Sequence, residues 1–169
     1  DLQALEAIRL IAANLLKTIQ EPDDITLRGR MMLGSLAAGM AFSNASLGAV
    51  HAMAHSLGGL LDLPHGECNA ILLDHVMAYN FTAASERYRR VGEALGLDLR
   101  GVSDCTPAVL DAIRSLKTAV GVTRRLGELG VQTGDLNALA AKAINDICIV
   151  TNPRKPSRGD LEAIYAEAL

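Results

Sequence analysis

GAVHAMAHSLGGLLDLPHGEC, the stretch Gly48–Cys68, contains three of the four histidines in this 169-residue chain. His51 and His55 stand four residues apart in a run of small and aliphatic residues that is typical of a helix. Their rings are therefore expected on one helix face, with Cβ atoms about 6 Å apart. Pro64 cannot continue that helix, and with two adjacent glycines before it, it predicts a turn that brings His65 back toward the other two. This geometry is the one that a divalent metal ion requires.

Two interpretations of the three histidines are open from the residues alone. A histidine on a small-residue helix is often a buried side chain that donates to a backbone carbonyl, and the HxxxH spacing by itself is weak evidence. Burying three imidazoles among Ala, Leu and Gly, however, costs on the order of 1–3 kcal/mol each unless every ring finds a partner. A shared metal ion supplies that partner. The spacing favours a metal site, and it allows a three-histidine site of the kind that binds zinc.

The whole chain is predicted to be all-α, a multi-helix bundle of about eight helices that forms a single domain over residues 1–169. Half of the residues are hydrophobic, but only three Tyr, two Phe and no Trp occur, so the core is expected to be aliphatic. A chain of this length should bury about 70% of its unfolded surface. The second predicted helix is rich in Ala, Gly and Met and is expected to be buried. Apolar periodicity and helix-stop residues predict helices over residues 2–20, 25–42, 46–58, 66–79, 85–96, 104 or 106 to 121, 135–147 and 157 or 160 to 169.

Composition excludes several classes of function. The net charge of −3 comes with no basic run interleaved with aromatics, so no nucleic acid partner is expected. No apolar run is long enough to span a bilayer, so no membrane association is expected. The three cysteines, Cys68, Cys105 and Cys148, are odd in number and widely spaced, which favours a reducing compartment and a cytoplasmic location.

The longer segment Gly39–Asn80, GMAFSNASLGAVHAMAHSLGGLLDLPHGECNAILLDHVMAYN, resembles the iron-containing (group III) alcohol dehydrogenases and includes their histidine-rich signature. CIVTNPR at Cys148–Arg154 is similar to the C-terminal region of that family. The resemblance covers the entire chain and implies the C-terminal helical domain of a two-domain dehydrogenase. One position departs from the family pattern, because Asp74 stands where proline is usual. His75, the residue after it, is expected to cap or pack against a neighbouring helix.

The resemblance also implies a role for each histidine of the signature. It makes His51 and His65 ligands of Fe²⁺, or of Zn²⁺ or another divalent metal. It makes His55 a catalytic residue near the nicotinamide and the substrate, where it takes part in proton relay. The N-terminal nucleotide-binding domain of the family, with the aspartate and histidine that complete the metal shell, is absent from these residues. NAD or NADP is therefore expected to bind mainly to that domain, and this chain alone is expected to be inactive.

The function predicted from the sequence is that of a metal-dependent, NAD(P)-linked alcohol dehydrogenase, with this chain as its metal-binding half. Its expected partners are a small alcohol or aldehyde and further copies of itself, as a dimer in the full enzyme. Three residues are candidates for lining the substrate: Phe42, Leu47, which precedes His51 by one helical turn, and Cys148. Two other functions stay open at this point, a stand-alone helical metal-binding module and a structural or interaction domain without catalysis.

Overall fold

The computed structural model describes all residues 1–169 and contains helices and connecting loops but no β-strand. The prediction of an all-α fold with about eight helices is confirmed. The eight α-helices are α1 (Leu2–Gln20), α2 (Ile25–Ala45), α3 (Ala49–Leu61), α4 (His65–Asn80), α5 (Ser85–Ala94), α6 (Thr106–Ala119), α7 (Leu136–Ala143) and α8 (Arg158–Ala168). Four short 3₁₀ helices join them, at Phe81–Ala83, Leu126–Leu129, Thr133–Asp135 and Ile147–Thr151.

Local side-chain chemistry explains where most of the helices begin and end. The Asp24 carboxylate accepts hydrogen bonds from the second and third backbone N–H groups of α2, at 2.7 and 3.0 Å. Ser157 and Asp160 form a reciprocal capping box at the start of α8. At the other end of α3, Asp62 adopts the left-handed conformation with φ of 53°, which stops the helix two residues before Pro64. The caps of α2 and α8 are local, because each joins residues within three positions of one another. The end of α3 was predicted at residue 58, but the helix continues to Leu61.

One predicted helix was wrong in both its cap and its length. Asp135 was expected to cap a helix that runs to Ile147, but its carboxylate instead accepts the Gln132 N–H at 2.8 Å and closes a preceding 3₁₀ turn. The α-helix ends at Ala143. Asp146 then adopts an extended conformation and caps the separate 3₁₀ helix that follows. Its carboxylate accepts the backbone N–H of Cys148, the second residue of that helix, at 2.8 Å. The helix is interrupted because Asp146 satisfies the backbone of a new turn.

The chain divides into two compact units, each built from two stretches of sequence. Unit 1 comprises residues 1–46 and 85–121, and unit 2 comprises residues 47–84 and 122–169. In unit 1, α1 packs against α2 and α5, and α5 packs against α6. In unit 2, α3 packs against α4 and α7, and α8 packs against α4 and α7. All three histidines of the signature belong to unit 2.

Helix α2 is not buried as its composition predicted. Its buried residues are Leu27, Gly34 and Ala37, which lie toward α1, whereas Met32 and Leu36 are 74% and 60% exposed. Small residues on the covered face let α1 approach closely and leave the larger side chains on the opposite face. No single helix of the chain has the length and apolarity needed to cross a bilayer, and only the broken pair of α2 and α3 meets that test when taken together.

Unit 2 has an aliphatic core with one buried aromatic ring at its centre. Met53 and Leu57 of α3, Leu72 of α4 and Leu139 of α7 are fully buried there. Tyr165 of α8 is also fully buried, and its hydroxyl donates to the backbone oxygen of Met53 at 2.8 Å. This bond satisfies a polar group that would otherwise be costly to bury, and it fixes α8 against the helix that carries His51 and His55.

Candidate metal centre and active site

The structure brings the three histidines of the signature together at one edge of unit 2. His51 and His55 lie one turn apart on α3, and their ring centroids are 6.2 Å apart. His65 is the first residue of α4, and the short turn after α3 places its ring 5.5 Å from that of His51 and 5.2 Å from that of His55. The predicted turn before His65 therefore exists. It creates a cluster of imidazoles from residues that span two helices.

Burial and mutual repulsion favour the neutral form of the most enclosed ring. Partial burial lowers the pKa of His51 below its usual value, and the neighbouring rings of His65 and His55 lower it further, against a smaller opposing effect of the Asp146 carboxylate. A neutral imidazole keeps a lone pair on one nitrogen, which is the form that binds a metal ion. The lowered pKa therefore favours the neutral form of His51 at neutral pH.

His65 is held by a residue one turn further along its own helix. The Asn69 amide nitrogen lies 3.0 Å from His65 Nε2 and also donates to the backbone oxygen of the same residue at 2.9 Å. The amide oxygen of Asn69 is buried and has no hydrogen-bond partner. The Asn69 side chain thus donates to His65 and leaves its own acceptor oxygen without a partner.

His55 is paired with a carboxylate that lies 91 residues away in the sequence. Its Nδ1 is 2.9 Å from Asp146 Oδ2, while Asp146 Oδ1 accepts the N–H of Cys148 at 2.8 Å. Burial alone raises the pKa of the Asp146 carboxyl, but the hydrogen bonds from Cys148 and His55 together lower it below its usual value. The carboxylate is therefore an acceptor, and His55 donates through Nδ1–H. In a neutral ring, this tautomer leaves the lone pair on Nε2.

The backbone at the start of α3 is fixed by a buried pair of asparagines. Asn152 Oδ1 accepts the backbone N–H of Ala49 at 3.0 Å and the amide of Asn80 at 3.0 Å, and its own amide donates to Asn80 Oδ1 at 2.7 Å. Gly48 lies close beside it, and a Cβ atom there would stand only 3.1 Å from Asn152 Oδ1, so the buried amide would have to shift. The two amides therefore position the first turn of α3, and with it the backbone of His51.

The three residues predicted to line the substrate have different surroundings. Cys148 is buried, and its sulfur lies within 4.8 Å of the ligand atoms of His55 and Asp146. Leu47 lies before the start of α3, since Gly48 is the N-cap, so the argument from a shared helix face was wrong for it; its backbone oxygen accepts the Thr151 hydroxyl. Phe42 lies near the end of α2 in unit 1 and is 49% exposed. A role in substrate lining stays a prediction for all three.

Sequence reasoning missed three polar residues that complete this region: Asn69, Asp146 and Asn152. Asn69 had a local signal, because it stands four residues after His65 in a helix. The other two contact α3 from across the sequence, and nothing in their own neighbourhoods indicated that. The fourth histidine behaves as expected, since His75 Nδ1 lies 3.6 Å from Glu167 Oε2 on α8 and is separate from the cluster.

This all-helical unit gathers three imidazoles, a carboxylate and a thiol, which are side chains that could hold a metal ion. The comparisons are consistent with this, because the model of the Fe-containing alcohol dehydrogenase family, C-terminal, matches residues 1–169. The chain therefore belongs to the iron-containing alcohol dehydrogenase family, and it corresponds to the all-α C-terminal domain. The resemblance found in the sequence is confirmed.

Individual relatives match the chain over its whole length but extend well beyond it. The chain is 42% identical to the 1,3-propanediol dehydrogenase of Klebsiella pneumoniae, covering 99% of this chain and 44% of that protein. It is 38% identical to the lactaldehyde reductase of Escherichia coli K12, with coverage of 99% and 44%. A crystal structure of a 1,3-propanediol oxidoreductase superposes with a TM-score of 0.97 at 42% identity, covering 100% of this chain and 45% of that one. The chain thus spans less than half the length of these relatives.

Proposed function

We propose that this chain is the metal-binding half of an NAD(P)-linked alcohol dehydrogenase, in which His51 and His65 bind a divalent metal ion and His55 accepts the proton of the alcohol. The observation that carries the proposal is the convergence of the three rings, whose centroids are 5.2–6.2 Å apart. It is supported by relatives that are named as a 1,3-propanediol dehydrogenase and a lactaldehyde reductase. The proposed substrate class is accordingly a small alcohol or aldehyde, and the proposed assembly is a homo-oligomer.

The donor set fits a first-row divalent cation. His51 is a neutral imidazole with part of its surface still open, and His65 stands at the start of α4 with its ring on the surface of unit 2. Two imidazoles suit Fe²⁺ or Zn²⁺, and both ions need further ligands to fill their shells. For His65 to bind the metal through Nε2, the Asn69 amide has to move away from that nitrogen. Such a movement also lets the buried Asn69 oxygen find a hydrogen-bond partner, which it lacks here.

His55 and Asp146 are arranged to receive a proton. Because Nδ1–H donates to the carboxylate, Nε2 is left as the base, and the ring cannot rotate without losing that bond. Once Nε2 is protonated, the adjacent carboxylate stabilises the positive charge on the ring, as in other His–Asp pairs. Asp146 is in turn fixed by the backbone N–H of Cys148. The pair therefore holds one nitrogen in a defined protonation state and orientation.

The remaining chemistry comes from groups that this chain binds in part or not at all. A divalent cation held by His51 and His65 would supply polarisation of the alcohol oxygen, which lowers the pKa of the alcohol, and a bound nicotinamide would supply the hydride acceptor. The chain itself contributes the metal ligands His51 and His65, the proton acceptor His55, and the buried thiol of Cys148 beside His55. NAD or NADP is proposed to bind mainly outside these residues.

The proposal is tested by replacing each histidine in the full-length protein and measuring metal content and rate together. His51→Ala and His65→Ala are expected to lose both the metal and the activity, because each removes a ligand. His55→Ala is expected to keep most of the metal and to lower the rate about 10²- to 10⁴-fold, the usual range for a proton-transfer group. Metal is measured by mass spectrometry and the rate by NAD(P)H absorbance.

His75→Ala is the matched control, since His75 contacts Glu167 rather than the cluster and should change neither quantity. Loss of metal from the His55 variant would contradict the division of roles and support a three-histidine site. Full activity in either ligand variant would refute the metal centre itself.

A further inference from the structure

A second set of metal-binding groups lies beside the three-histidine cluster and shares only His55 with it. One ligand atom from each of His55, Asp146 and Cys148 lies within 4.8 Å of the other two. His55 Nδ1 and Asp146 Oδ2 are 2.9 Å apart. Around a tetrahedral zinc ion, with Zn–N of about 2.0–2.1 Å and Zn–S of about 2.3 Å, ligand atoms stand roughly 3.3–3.8 Å from one another. Small side-chain rotations therefore suffice to bring all three onto one ion.

The segment that supplies two of these groups is already fixed in place. Asp146 caps the 3₁₀ helix Ile147–Thr151 through the N–H of Cys148, so the carboxylate and the thiol project from a single rigid turn. Cys148 is 6% exposed, whereas 41% of the His55 side chain is open to solvent. A cation can thus enter on the His55 side and meet the sulfur at the inner end, with water in the remaining position.

We propose that His55, Asp146 and Cys148 form a binding site for a thiophilic divalent cation, Zn²⁺ or Cd²⁺, and that the cation inhibits the enzyme when it is bound there. The sulfur sets the selectivity, because thiolates prefer such ions, whereas the His51 and His65 pair offers nitrogen alone. On binding, the Nδ1 proton of His55 and the thiol proton of Cys148 pass to solvent, and the cation takes their place. No electron is transferred.

The inhibitory effect rests on the proposed function, because it requires that His55 be the proton acceptor. A cation on Nδ1 breaks the hydrogen bond to Asp146 and puts positive charge on the ring, so Nε2 becomes a poorer base. The rings of His55 and His65 are stacked with centroids 5.2 Å apart, so a cation on either ring also raises the cost of placing one on the other. A cation bound to His55, Asp146 and Cys148 is therefore expected to weaken both proton acceptance by His55 and metal binding by His65.

The binding site is tested on the 169-residue chain by titration with Cd²⁺, followed through the ultraviolet charge-transfer band of a cadmium–thiolate bond. The expected result is a band that saturates at one equivalent. Cys148→Ser should abolish it and His55→Ala should weaken its affinity at least about tenfold, with circular dichroism confirming the fold of each variant. Cys68→Ser and Cys105→Ser are matched controls that should retain it, because both thiols are buried elsewhere.

The variant His51→Ala separates this proposal from the metal centre. It should keep the cadmium–thiolate band while losing the metal of the centre, since the centre contains no sulfur. A band that disappears in His51→Ala would overturn the proposal, because Cys148 would then be reaching the ion of the first site. Absence of any band would also overturn it and would leave the metal analysis of His51 and His65 unaffected.

Inhibition is tested in the full-length protein loaded with its metal. Added Zn²⁺ is expected to lower the rate, and the concentration for half inhibition should rise at least about tenfold in Cys148→Ser, each variant being compared with its own uninhibited rate. Equal sensitivity of the two proteins to Zn²⁺ would show that inhibition arises elsewhere.

Discussion

Helices α2 and α3 have similar compositions but opposite surroundings. Both are rich in Ala, Gly, Met and Leu, yet α3 buries Met53 and Leu57 completely while α2 leaves Met32 and Leu36 largely exposed. The difference lies in how many elements contact each helix. Within unit 2, α3 packs against α4, α7 and the 3₁₀ helix Ile147–Thr151, whereas within unit 1, α2 packs mainly against α1. Small-residue composition thus indicates close packing on one face and leaves the burial of the other faces undetermined.

The largest expected contrast is between two leucines, one on each helix. Leu57→Ala should lower the free energy of unfolding by about 2–5 kcal/mol, because it leaves a cavity in a fully buried core. Leu36→Ala on α2, at 60% exposure, should change it by less than about 0.5 kcal/mol. Urea denaturation measures both. A cost above about 1 kcal/mol for Leu36→Ala would break the comparison, since it would show that this face of α2 is covered in solution.

A second contrast compares an asparagine that hydrogen-bonds to α3 with one that lies within α2. Asn152→Ala should destabilise by about 1–3 kcal/mol, because it leaves the Ala49 N–H and the Asn80 amide buried without partners. Asn44→Ala removes an exposed amide that donates to the Met40 oxygen within α2, and it should cost less than about 0.5 kcal/mol. Thermal unfolding of both variants decides the point. Equal costs would mean that the buried pair contributes nothing beyond an ordinary surface hydrogen bond.

The smallest contrast lies within α2 and concerns two glycines. At Gly34 a Cβ atom would lie 2.9 Å from Ile11 Cγ1 and 3.3 Å from Leu10 Cβ, so Gly34→Ala should destabilise by about 1 kcal/mol. At Gly39 no heavy atom lies within 4 Å of such a Cβ, so Gly39→Ala should stabilise by about 0.5–1 kcal/mol through helix propensity. Opposite signs in urea denaturation would locate the covered face of α2. Two destabilising results would show that Gly39 also faces a neighbour.

The parts of the fold that could be predicted are those governed by near neighbours in the sequence. Helix α1 begins and ends where its apolar periodicity predicts, and α2 begins at Ile25 because Asp24 caps it locally. The interruption at Asp146 could not be predicted in the same way. At Asp146 the chain can either continue the helix or cap a new turn. The hydrogen bond to His55, 91 residues away, stabilises the conformation that caps the turn.

The histidine cluster could be predicted because one short turn separates its members. The spacing alone left a three-histidine site open, and the distinct role proposed for His55 came from the family resemblance. The structure adds one physical difference between the two histidines of α3. His55 Nδ1 is hydrogen-bonded to Asp146, whereas His51 makes no hydrogen bond to a carboxylate. Neither Asp146 nor Asn152 could be assigned beforehand, since each acts through a contact that only the folded chain creates.

The buried amide of Asn152 has a consequence for the order of events during protein synthesis. The first turn of α3, which carries His51, is secured by a side chain that follows Ala49 by 103 residues. At a translation rate of about 5–20 residues per second, that interval is roughly 5–20 s. Throughout this time the nascent chain presents His51, His55 and His65 without the contact that fixes their helix. The three histidines are therefore expected to reach their final arrangement only after Asn152 has been synthesised and has folded back onto α3.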